Sequence, residues 1–170
     1  VIVGTGTGAG VVIDGRLLTG PNGIAGEWGH NPLPWPRAEE IPGPPCYCGK
    51  RGCIETFLSG PGLAVDYRST AGGASDPERI AAAAESGDPL AVAALNRYED
   101  RMARSLASVI NILDPDVIVL GGGLSNLTRL YRSVPALIPR YLFSDGASIR
   151  LRRPAHGDSS GVRGAAWLWE

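Results

Sequence analysis

All three cysteines of the chain stand within eight residues, in Cys46-Tyr47-Cys48-Gly49-Lys50-Arg51-Gly52-Cys53. Three thiols cannot all pair in intrachain disulfides, so a metal site is the better arithmetic. Zinc takes four tetrahedral ligands, and the chain has two histidines that could supply the fourth. His30 is the economical choice, because a ligand there closes the segment between itself and Cys46; His156 is the alternative. Four protein ligands make a closed, structural site with no open position for Lewis-acid chemistry. Reduced thiols place such a chain in the cytoplasm.

Glu27 stands three residues before His30, and Glu55 two residues after Cys53. A metal that gathers His30 and Cys53 gathers both carboxylates too. Two carboxylates beside an imidazole form a surface rich in acceptors, suited to a polyol whose carbons each carry a hydroxyl donor.

Two glycine loops could close backbone N–H groups around an anion. Gly4-Thr5-Gly6-Thr7-Gly8-Ala9-Gly10 follows the apolar run Val1-Ile2-Val3, and Gly121-Gly122-Gly123 follows Val117-Ile118-Val119-Leu120. No Lys follows the first loop, as a Walker motif requires, and it leads into a second strand where a dinucleotide fingerprint needs a helix. A hairpin without ligand and a simple turn are the plain alternatives. Together, the two loops point to a nucleotide between them.

The elements that must position these groups read as an alternation. Asp14-Gly15 between apolar runs predicts a two-residue hairpin. Six prolines between Asn31 and Pro45 deny helix and central strand, so residues 31–53 read as an irregular excursion ending at the cysteines. Asp76-Pro77 and Asp88-Pro89 each pair an N-cap carboxylate with Pro at the first helical position, and Gly87 closes the first helix. The second helix carries Val92, Leu95, Met102, Leu106, Val109 and Leu113 on one face and stops at Asp114-Pro115. A strand ending at Gly121 precedes an amphipathic helix through Leu130, Val134, Leu137 and Ile138. A strand over Ile149–Arg152 and a helix from Val162 to Leu168 complete an α/β layer fold.

Composition bounds the rest. The chain has 170 residues, with 24 Gly and 14 Pro, and is loop-rich. With 44% hydrophobic and 19% charged residues it buries a core, which excludes disorder, and no long uncharged apolar run predicts a membrane span. A net charge of -1 gives no basic surplus for nucleic acid or an anionic membrane. One domain is expected at this length. The chain opens inside an apolar strand without an initiator Met, and a fragment of a longer protein is expected.

In order, the glycine-rich hairpin, Gly26-Glu27-Trp28-Gly29-His30, Cys46 to Glu55 and Val117 to Gly123 resemble the ROK family of bacterial sugar kinases and sugar-responsive repressors. The resemblance runs essentially from Val1 to Glu170. Residues 27–35 and 156–166 look most like the fructokinase (manno(fructo)kinase) branch, with N-acetylglucosamine kinases second. It implies that His30, Cys46, Cys48 and Cys53 bind Zn2+ and that Glu27, His30 and Glu55 face the sugar. It implies further that Gly4, Thr5, Gly6, Gly8 and Gly10 hold ATP phosphates and Gly121, Gly122 and Gly123 the adenosine. The fold implied is the C-terminal lobe of an actin-like, ribonuclease-H-like ATPase, spanning residues 1–170, with a zinc-stapled loop. The family's Asp-x-Gly-Gly-Thr loop and catalytic Asp belong upstream of Val1, so no catalytic residue is expected in this chain, which alone should be inactive. The activity implied is Mg-ATP-dependent phosphorylation of a hexose, fructose first, with an N-acetylhexosamine or glucose kinase, or the sensing half of a repressor, as alternatives. Hexose and ATP are the expected partners and a homodimer the expected assembly.

Overall fold

The computed structural model describes residues 1–73, 75–144, 146 and 149–166. Four short strands open the chain: β1 (Ile2–Val3), β2 (Thr7–Gly8), β3 (Val12–Ile13) and β4 (Arg16–Leu17). β1 and β2 pair antiparallel across the first glycine loop, and β3 and β4 form the expected hairpin, with Asp14 and Gly15 both at positive φ. That geometry is the one a two-residue turn needs to match strand twist.

The proline-rich excursion is irregular, preceded by a 3-10 turn at Trp28–His30 and broken by another at Ala38–Glu40. Two helices not foreseen from the sequence follow the cysteines, α1 (Glu55–Leu58) and α2 (Gly60–Ala71). α3 (Pro77–Glu85) and α4 (Pro89–Leu113) begin at the expected caps: the carboxylate of Asp76 accepts from Arg79 N–H and that of Asp88 from Ala91 N–H. Asp114, in the left-handed region, ends α4. β5 (Ile118–Val119), a 3-10 turn (Gly123–Asn126), α5 (Leu130–Leu137), β6 (Leu151–Arg152) and α6 (Ser160–Ala166) complete the order. Of the strand expected over residues 149–152, only Leu151–Arg152 is extended and paired, parallel to β5. Leu168, the expected end of the last helix, lies outside the described residues.

The β1–β2 and β5–β6 ladders are joined by a parallel bridge from Ile2 to Gly121, where Val3 N–H donates to Gly121 O and Gly121 N–H to Val1 O. β1 thereby lies beside β5, and both glycine loops leave the same end of this small sheet. α4, 25 residues and about 37 Å long, packs against α1, α2, α3 and α5. Its Leu95, Tyr98, Met102 and Leu106 are fully buried in one core with Val3, Leu58, Ile80, Leu120 and Leu130. Leu113, expected on that buried face, is exposed.

α4 also buries charge. Arg101 and Arg104 converge on Glu40 of the excursion: Arg101 Nε donates to Oε1 at 2.7 Å and Arg104 Nη2 to the same oxygen at 2.8 Å. Arg104 Nη1 reaches Glu40 Oε2 at 2.9 Å and the carbonyl of Trp35 at 2.7 Å. The excursion is therefore clasped to the central helix.

Candidate functional site

The chain folds back at Pro32–Cys53, an antiparallel bridge flanked by Leu33 N–H to Gly52 O and Ile54 N–H to Asn31 O. This lays the His30 segment beside the last cysteine. Cys46 N–H donates to Lys50 O and Gly49 N–H to Cys46 O, curling the intervening residues into a tight turn. The turn sits on the excursion by a glycine-to-glycine approach: a Cβ on Gly43 would lie 2.4 Å from Gly52 Cα.

The result gathers His30, Cys46, Cys48 and Cys53, whose donor atoms all lie within 4.8 Å of one another. Cys46 Sγ is 3.6 Å from His30 Nδ1 and Cys48 Sγ is 3.7 Å from Cys53 Sγ. Bonds of about 2.3 Å to sulfur and 2.0–2.1 Å to nitrogen at tetrahedral angles require neighbouring donors about 3.6–3.8 Å apart. The donor set and its spacing fit zinc. His156 is not part of the cluster. The thiols are unequal: the Lys50 backbone N–H beside Cys48 brings it down to about 7, while burial first, then its sulfur neighbours, pushes Cys53 up to about 12.

The carboxylates expected beside the cluster are held differently. Glu27 is exposed and precedes the 3-10 turn that carries His30. That turn is set against β2, where a Cβ on Gly29 would lie 1.9 Å from Thr7 O. Glu55 opens α1, and its Oε2 accepts from Thr7 N–H at 2.8 Å, leaving the other oxygen for a ligand. Both carboxylates lie near the phenol of Tyr47: desolvation, then the charges of Glu55, Cys46, Glu27 and Cys48, push its hydroxyl above the usual range. Tyr47 was not among the residues singled out from the sequence. Its Oη is 2.8 Å from His30 Nε2.

On the other side of the β1–β2 turn lies a cleft of about 700 Å³, lined by Gly4 and Thr5, the starts of α2 and α3, and Gly123 with Leu124. Gly60 N–H donates to Gly4 O at 2.7 Å, fixing the start of α2 beneath the loop. The expected nucleotide residues divide. Gly4, Thr5 and Gly123 line the cleft. Gly6 lies against the Glu55 carboxylate, Gly8 pairs with Ile2, and Gly10 packs near Leu17. Gly121 bridges to Ile2, and Gly122 is pressed on the Val3 carbonyl.

Solved structures share this architecture. A ROK family glucokinase from Streptomyces griseus, crystallised with glucose and AMPPNP, superposes with a TM-score of 0.86 at 27% identity, covering 98% of this chain and 58% of its own. A ROK hexokinase from Thermus thermophilus gives 0.83 at 34% identity, covering 98% and 56%. The fold is thus the mixed α/β fold of ROK sugar kinases, an actin-like ATPase fold. The sequence matches the ROK family over residues 1–170, and the chain belongs to that family. An N-acetyl-D-glucosamine kinase from Yersinia pseudotuberculosis (serotype O:1b, strain IP 31758) is 39% identical over 172 residues, 99% of this chain and 57% of that protein. The chain spans a little over half the length of the relatives it matches. The wider family is thus shown, while the fructokinase branch expected from residues 27–35 and 156–166 is not: these relatives are named for N-acetyl-D-glucosamine, glucose and hexose.

Proposed function

We propose that this chain is the sugar- and nucleotide-binding C-terminal lobe of an ATP-dependent hexose kinase that acts on N-acetylglucosamine or a related hexose. One observation carries the reading: the Gly4–Thr7 turn belongs to two sites at once, Thr5 lining the cleft while Thr7 N–H holds the carboxylate of Glu55. Phosphates fit the glycine end of the cleft, where the Gly4–Thr5 backbone and the start of α2 meet. Asp76, Glu78 and Glu85 line its other side, which repels phosphate and suits the hydroxyls of a ribose. Glu27 and the free oxygen of Glu55 accept from the sugar.

The sugar's 6-hydroxyl oxygen attacks the γ-phosphorus as the bond to the ADP oxygen breaks, and its proton passes to an Asp expected upstream of Val1. His30, Cys46, Cys48 and Cys53 hold zinc, which fixes the excursion and takes no part in the transfer. Three unpaired thiols suit a reducing cytoplasm.

The test is a coupled assay of the full-length protein with Mg-ATP and N-acetylglucosamine, glucose, mannose or fructose. Phosphorylation of one of them, with N-acetylglucosamine preferred, is expected. Fructose preferred would restore the fructokinase branch. Hexose binding without turnover would favour the sensing half of a repressor.

A further inference from the structure

Both nitrogens of the His30 ring are engaged. Nδ1 faces Cys46 Sγ at 3.6 Å within the cluster, and Nε2 meets Tyr47 Oη at 2.8 Å. With Nδ1 turned to the sulfurs as a ligand, the ring proton sits on Nε2, which donates to the phenol. The two rings meet edge to face with centroids 5.0 Å apart. Tyr47 is 83% exposed, and His30 is the one side chain its hydroxyl bonds among the described residues, so the rest of its hydrogen-bonding capacity is open to a ligand.

We infer that Tyr47 is a specificity-determining residue of the sugar site, its hydroxyl meeting a hexose hydroxyl in the place otherwise assigned to His30, which acts as the positioning residue behind it. The inference rests on the hexose-binding reading above. The exchange alters the chemistry presented to the ligand. An imidazole N–H offers a single donor, whereas a phenol already accepting from it offers one donor and one acceptor. The donated bond also polarises the phenol and strengthens its outward O–H as a donor. The backbone on either side of Tyr47 is fixed by Cys46 and Cys48, so the hydroxyl has a defined position although the ring is exposed.

The test compares wild type, Tyr47→Phe and Tyr47→Ala in the zinc-loaded full-length protein, by calorimetric titration with N-acetylglucosamine and glucose and by steady-state kinetics. Tyr47→Phe keeps the ring against His30 and removes only the hydroxyl. It is expected to bind the preferred hexose about three- to tenfold more weakly, the range of one hydrogen bond. Zinc content, melting temperature and KM for ATP should stay unchanged. Tyr47→Ala should lose at least as much. Binding by Tyr47→Phe as tight as wild type, or tighter because the sugar now reaches His30 Nε2 directly, would overturn the inference and leave the kinase reading standing. Hexose binding without turnover in wild type refutes the kinase reading and leaves the calorimetric comparison valid. No hexose binding by wild type overturns both.

Discussion

Cys48 is the exposed member of the four-residue cluster, and Cys46 and Cys53 are buried. Replacing Cys48 with Ser leaves the fold's interior untouched and removes one donor. The proposed zinc binding energy is folding energy for the residues it joins. Cys48→Ser is therefore expected to lower zinc content from near one per chain to well below half under reducing conditions, measured by elemental analysis, and to lower the melting temperature. Metal retained at full stoichiometry would exclude Cys48 as a ligand. At this scale much was legible: cysteine and histidine spacing alone suggests the cluster, because a metal site needs few residue types at short separations. Tyr47 was not, since a residue between two ligands reads as filler until its hydroxyl is seen on His30. That Glu55 spends one oxygen on Thr7 N–H was equally invisible, because a backbone donor 48 positions away leaves no mark on composition.

Among elements, α4 shows where sequence reading stops. The Asp-Pro caps of α3 and α4 are local signals and place both helix starts. α2 escaped because Gly60-Pro61-Gly62 looks like a turn; Ser59 caps it, and a Cβ on Gly62 would lie 2.6 Å from Thr56 O. Glu99, Asp100, Arg101 and Arg104 are buried on a helix whose charged residues suggest a solvated face, and the partner of the two arginines, Glu40, lies in the excursion. Burial by itself would raise the Glu40 carboxyl; bonds from Arg104, Arg101 and the backbone N–H of Arg37 outweigh it and hold it at about 2, below the ordinary 4.5. A depressed carboxyl contributes stability above its unfolded value and loses it as pH falls through the folded one. Stability should thus decline between about pH 4.5 and pH 2 as this clasp is protonated. Glu40→Gln removes the carboxylate that Arg101 and Arg104 share, leaving each with one acidic partner, Asp66 for Arg101 and Asp100 for Arg104, and a loss of about 3 kcal/mol at pH 7, the low end for breaking a buried pair, is expected. In thermal melts that is about 10 °C, with a shallower decline below pH 4.5 than in wild type. Equal melting temperatures at pH 7 would show that the excursion is held by something else.

For the whole molecule, the alternation of strands and helices made the layered fold readable, while the order of strands in the sheet was not, because ladders two residues long carry no register pattern. Under the proposed function, residues 1–170 alone should give no turnover with any hexose and Mg-ATP in a coupled assay, since transfer depends on positioning across a cleft with the base outside this chain. Turnover by the isolated chain would place the base within it. The Thr7–Glu55 hydrogen bond has a further consequence. Under the proposed function, the turn that lines the cleft and the carboxylate proposed to accept from the sugar are joined by this bond, so a shift of the turn on binding one ligand moves the group that meets the other. Sugar should tighten nucleotide binding, and nucleotide should tighten sugar binding by the same factor, about fivefold or more, because linkage is reciprocal. In Gly6→Ala the added methyl would stand 2.8 Å from Glu55 Oε2 and force the carboxylate to move, so the two affinities should become independent. Calorimetric titrations of each ligand with and without the other, in wild type and Gly6→Ala, measure that cooperativity directly.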